Sequence, residues 1–172
     1  MKKSLLLMSL LLPVMTVSAV EIETFPVSMD VLVPQTSTSF EIVANKTNFI
    51  ALYDVDNNKF KDLVIPFKVV SKTVSEIDYN IQIAYAKNIC ADSSMRPPSS
   101  NIVNGVELPI SIKLDSKIHD IAQPNYKGEN YGTTSGLERE HKILVSFSRL
   151  PQTNISQECQ GALGLLAQLG NI

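Results

Sequence analysis

The chain has 172 residues, with 15 lysines and arginines against 17 aspartates and glutamates, a formal net charge of −2, two cysteines and no tryptophan. That balance argues against a nucleic-acid-binding surface and gives no cause for attraction to an anionic membrane. At this length a single domain buries roughly two thirds of its unfolded surface, so a self-sufficient core needs no dense disulfide framework.

Residues 1–19 read as a cleaved signal peptide. Lys2 and Lys3 precede an apolar run from Leu5 to Val14, and Val17-Ser18-Ala19 places small residues before a cut at Val20. The apolar run is too short to span a bilayer, so export with cleavage is the expectation. In an oxidising compartment, the default for the two cysteines is one bridge between Cys90 and Cys159. Two cysteines without clustered histidines do not suit a structural zinc site.

The first mature segment, Val20 to Val33, alternates. Phe25, Val27, Met29, Val31 and Val33 are apolar, and Ser28 and Asp30 lie between them. This is a strand with one committed apolar face, which must enter a sheet, its own or another subunit's. A polar breaker cluster follows from Pro34 to Ser39. Phe40 to Ala44 and Phe49 to Val55 read as two short strands across a turn at Asn45-Lys46-Thr47-Asn48. Asp54 to Lys59 reads as a further turn, since it lacks the glycine and distal glutamate of a calcium loop.

Phe60 to Val70 is strongly apolar but carries Pro66, which points to an edge, a bulge or a break. Asp78 to Ala86 places Tyr79, Ile81, Ile83 and Tyr85 on one side of a strand. Cys90 to Asn104 and Lys117 to Leu137 read as long loops, and Gly105 to Asp115 as a strand interrupted by Pro109. Glu140 to Leu150 is a strand with Ile143, Val145 and Phe147 on one face. Gln157 to Leu169 follows helical spacing better than alternation and is expected as a short helix or irregular tail. The sum is an all-β, immunoglobulin-like antiparallel β-sandwich.

No catalytic, cofactor-binding or metal site is expected. His119 beside Asp120, and Glu140 beside His141, are chance neighbours at strand ends rather than catalytic pairs, because no GxSxG, HExxH or phosphate loop accompanies them. His119 and His141 are expected to be solvent-exposed. A non-enzymatic role follows as the expectation.

A leader, one β domain and an alternating N-terminal segment directly after the cleavage site together resemble a bacterial fimbrial subunit of the chaperone-usher class. Glu21-Ile22 followed by Phe25-Pro26-Val27-Ser28 is similar to the mature N-terminus of subunits of the coli surface antigen 6 type. Gly105-Val106-Glu107-Leu108-Pro109-Ile110-Ser111-Ile112-Lys113-Leu114 and the later hydrophobic strand are similar to class 5 coli surface antigens. The resemblance implies an incomplete sandwich completed by donor-strand exchange. Its partners would be a periplasmic chaperone, an outer-membrane usher, neighbouring fimbrial subunits and a host receptor, on a surface fimbria.

Carried over by position, Phe25, Val27, Met29, Val31 and Val33 are the donor side chains, within an extension of residues 20–34. Ile143, Val145 and Phe147 border the groove, in a pilin domain of residues 35–156. The tail of residues 157–172 departs from the pattern, because it could fill the groove from within, and a minor or tip-proximal subunit fits as well as a shaft subunit. The competing reading is a self-contained secreted or periplasmic β-sandwich binding module.

Overall fold

The computed structural model describes residues 24–32, 39–73, 75–92, 105–119, 129–132, 137–150 and 157–169. These residues form β1 (Thr24–Leu32), β2 (Phe40–Val43), β3 (Asn48–Asp54), β4 (Lys59–Phe60), β5 (Leu63–Ser71) and β6 (Asp78–Asp92). They continue as β7 (Val106–Glu107), β8 (Ile110–Leu114), β9 (Lys117–His119), β10 (Glu129–Gly132), β11 (Glu138–Phe147) and β12 (Gln157–Leu169). Among the described residues there is no helix. The signal-peptide reading of residues 1–19 lies outside the described residues. Of the loop expected over Cys90 to Asn104, Cys90 to Asp92 are instead the end of β6, held in the sheet by pairing with β12, and residues 93–104 lie outside the described residues.

The strands make two sheets, one in the order β10-β6-β12-β1-β3-β4 with β7 beside β6, the other β2-β5-β11-β8-β9. The all-β sandwich expected from the alternation is therefore the architecture. Its core is filled from both sides. Ile81 and Leu165 of the first sheet and Ile65, Val69, Leu114 and Ile143 of the second are fully buried, and their removal from water drives the two layers together.

Prolines and turns decide where the chain changes sheet. β2 and β3 are not a hairpin: β2 pairs with β5 and β3 with β1, so Ala44 to Thr47 carries the chain from one layer to the other. Pro109 does the same, separating β7 on β6 from β8 on β11. Pro66 is tolerated inside β5 because β2 pairs only with residues 68–71, so no described strand lies beside Pro66 on that side. The turn expected at Asp54 to Lys59 is present, with Asp54 accepting a hydrogen bond from the Asn57 side chain at 2.9 Å.

Two further expectations are corrected. The region from Lys117 to Leu137 is not loop throughout, since it contains β9 and β10. Its strands are only three and four residues long, and Glu129-Asn130-Tyr131-Gly132 offers a single large apolar side chain, too little for alternation to be read. The segment Gln157 to Leu169 is neither helix nor irregular tail but a 13-residue strand inside the first sheet. Cys159, Leu163, Leu165 and Ala167 face the core in alternation, while Ala162, Gly164 and Leu166 occupy the other face. Apolar residues on both faces of an internal strand blur the period of two and imitate helical spacing.

Candidate functional site

β1 lies between β12 and β3. It pairs parallel with β12, from Val27 opposite Gly161 to Leu32 opposite Leu166, and antiparallel with β3, from Thr24 opposite Leu52 to Ser28 opposite Asn48. The β1–β12 pairing is the one parallel ladder among the described strands. Without β1 the first sheet separates into β10-β6-β12 and β3-β4, with a gap one strand wide over the core.

Three of the five expected donor side chains are seen in that gap. Phe25, Val27 and Met29 are 0%, 3% and 2% exposed, whereas Pro26 and Asp30 face outward. Val31 lies in β1 opposite Leu165, but its side chain, like all of Val33, is outside the described residues. Burying the three is worth roughly 5–8 kcal/mol as an upper estimate.

The deepest position belongs to Phe25. Its ring centroid lies 5.0 Å from that of Phe60 on β4 and 5.0 Å from that of Phe147 on β11. The fourth side is Gly161 of β12, where an added Cβ would stand 2.7 Å from Phe25 Cε1 and 2.8 Å from Asn88 Oδ1. No side chain fits there while Phe25 is present. Gly161 is thus a site residue that alternation could not reveal.

β11, which carries Ile143, Val145 and Phe147, is not an edge strand of this slot. It lies in the middle of the opposite sheet, between β5 and β8. The strands flanking β1 are β12 and β3, and β11 contributes Phe147 as part of the floor. The family resemblance, carried over by position, puts the edge on β11, the last segment with clean alternation, because β12 hides its strand character behind two apolar faces.

The disulfide is present as expected between Cys90 and Cys159, which face each other in the β6–β12 register. It clamps β12 to β6 on the side away from β1, so the strand that bounds the slot is covalently fixed from behind. Its closed loop restricts the unfolded chain.

A polar cluster joins the two sheets. His141 on β11 is buried at 3% exposure, against the expectation of a solvent-exposed histidine. Its Nδ1 lies 2.6 Å from Asp115 Oδ2 and its Nε2 lies 2.6 Å from the Tyr79 hydroxyl on β6. A carboxylate can only accept, so Nδ1 carries the proton and donates to Asp115, and Nε2 accepts from Tyr79. The ring is stacked on Phe67 and meets the edge of Tyr131. Burial lowers the His141 pKa below its ordinary value, with Arg139 acting in the same sense, while Asp115 opposes them. Burial also raises the pKa of Tyr79.

Asp115 reaches His141 because Asp115 and Ser116, at φ 47° and 74°, form the tight turn between β8 and β9. That turn is fastened by Lys142 N donating to Asp115 Oδ1 at 3.0 Å. The His141 partner is therefore Asp115, not its sequence neighbour Glu140. The His119 side chain lies outside the described residues. Among the described residues no group of three or more histidine, cysteine, aspartate or glutamate side chains is placed to hold a metal ion.

No protein-family model matches the chain, and no curated protein matches it. Among solved structures, the chain is similar to the CooA pilin subunit from enterotoxigenic Escherichia coli. The match covers 74% of this chain and 98% of that one, at 10% sequence identity and a TM-score of 0.37.

Proposed function

We propose that the chain is a structural or minor, tip-proximal subunit of a bacterial chaperone-usher fimbria, with β1 as its exchangeable strand. The observation that carries this reading is the placement of β1: the first described strand, parallel to β12, fills a one-strand gap between β12 and β3. Backbone ladders and three buried side chains hold it there, and a second copy of the same strand offers the same groups. In this reading the described fold is the self-closed form. A periplasmic chaperone occupies the slot before assembly, the outer-membrane usher replaces it with the β1 segment of a neighbouring subunit, and the fibre presents its outer surfaces to a host receptor. The role is structural rather than enzymatic.

The competing reading, a self-contained exported binding module, is favoured by one observation: β1 is paired on both sides within its own chain. The two separate on one experiment. Residues 20–33 are deleted, and the truncated chain is offered a fluorescent peptide of residues 20–33. The fimbrial reading expects a poorly soluble truncated chain that the peptide restores as a stable one-to-one complex, and slow uptake of peptide by the intact chain. A truncated chain that is a soluble, folded monomer and ignores the peptide overturns it.

A further inference from the structure

Asp30, Gly164 and Tyr85 form one row across three strands: Asp30 of β1 is opposite Gly164 of β12, and Gly164 is opposite Tyr85 of β6. The Tyr85 hydroxyl donates to Asp30 Oδ2, so a side chain of β6 reaches over the whole width of β12 to hold β1. Two features of the chain make that reach possible. At Gly164 an added Cβ would collide with the Tyr85 ring, standing 2.9 Å from its Cζ and closer still to its Cε1. In β6 the register passes from Tyr85 opposite Gly164 to Ile83 opposite Leu165, leaving Ala84 without a partner. That irregularity turns Tyr85 out of the inward series Tyr79, Ile81 and Ile83 and onto the outer face.

The ladders on either side of β1 are made by backbone groups that any strand of suitable alternation supplies. The Tyr85 contact differs, because it requires a hydrogen-bond acceptor at the one outward position facing Gly164. The hydrogen bond is the first cause of the raised Tyr85 pKa, so the tyrosine is a committed donor throughout the neutral range. No side chain of β12 stands between the two groups, and both lie on the outer face, away from the core.

We infer that Tyr85 is a specificity-determining latch of the slot, which recognises an acidic side chain opposite Gly164, sets the register of the occupying strand and slows the release of β1. The inference rests on the fimbrial reading for its consequence, since the latch then governs exchange of β1 for the same segment of a second copy. Its physical content, that Tyr85 keeps β1 closed, is measurable without any exchange.

The test uses the full mature chain and three variants, Tyr85→Phe, Asp30→Ala and the double variant. The first measurement is native-state hydrogen exchange of the β1 amides, referenced to those of β5 and β11. Each single variant is expected to open β1 about three- to tenfold more often, the range for one partly exposed hydrogen bond to a carboxylate. The double variant is expected to match the singles, because both remove the same contact. Unchanged β1 exchange in both singles, or effects that multiply in the double variant, overturns the latch. The second measurement is uptake of the fluorescent 20–33 peptide, expected to accelerate by the same factor. If β1 opens faster but no form of the chain takes up peptide, the latch stands and the fimbrial reading falls.

Discussion

Gly161 lies against the ring of Phe25 so closely that a Cβ on the glycine would stand 2.7 Å from Phe25 Cε1. The contact links the strand that fills the slot to the strand that bounds it. Phe25 is also packed edge-on to Phe60 and tilted against Phe147, so its ring has no direction in which to yield.

Gly161→Ala is therefore expected to destabilise the closed chain by about 1–3 kcal/mol, the range for forcing extra atoms into a packed core. Phe25→Ala alone is expected to cost about 3–5 kcal/mol. In the double variant the new methyl group occupies space vacated by the ring, so the double should be more stable than the sum of the two costs. Urea unfolding of the four proteins measures the coupling, and strict additivity would show that the two residues do not meet.

Removing the bridge by Cys90→Ser with Cys159→Ser should lower stability by up to about 4 kcal/mol, from a sequence separation of 69 residues in the chain-entropy account. The loss should be felt at the slot as well. β12 is then held to β6 by the backbone ladder and packing alone, and hydrogen exchange along β12 is expected to rise more than along β5.

Acid acts through His141. Its pKa in the folded protein is lowered by burial from an ordinary value of 6.5, so between those two values the unfolded chain binds the extra proton. Stability is thus independent of this group above about pH 6.5 and is lost as the pH falls below it. A second N–H at Nε2 would force the Tyr79 hydroxyl to turn from donor to acceptor, so the present donor arrangement favours the neutral ring. Tyr79→Phe is expected to cost about 1–2 kcal/mol at pH 7 and to flatten part of that acid dependence. Melting curves between pH 5 and 8 would read both effects.

Met29→Asp places a carboxylate at a position 2% exposed, and should drive β1 out of the slot while leaving the other strands folded. The expected result is a chain that accepts the 20–33 peptide readily but whose own N-terminal segment enters no neighbour. Val31→Asp is expected to act in the same direction, since Val31 shares the alternation and sits opposite Leu165. In the fimbrial reading, normal fibres from either variant would count against β1 as the exchanging strand.

Much of the fold was legible because most strands present one face to water. Phe25, Val27 and Met29 are assignable to the core from alternation alone, and the pairing of Cys90 with Cys159 follows from two cysteines in a chain expected to be exported. β12 was not legible. Placed between β6 and β1 with apolar residues on both faces, it lacks the polar half of the pattern. The resemblance puts Ile143, Val145 and Phe147 at the groove edge in its place, whereas they lie on β11 in the opposite layer.

The sequence by itself determined that the chain folds as two β layers and that its N-terminal segment must find a sheet, because period-two hydrophobicity is a local property of the chain. Only the tertiary structure decided which sheet, which neighbours and which direction. Those depend on residues far apart in sequence: Gly161 leaving room for Phe25, the β6 irregularity at Ala84 turning Tyr85 outward, and Asp115 reaching His141 instead of Glu140. A strand pattern records which face is buried, and the partner that buries it is fixed by packing alone.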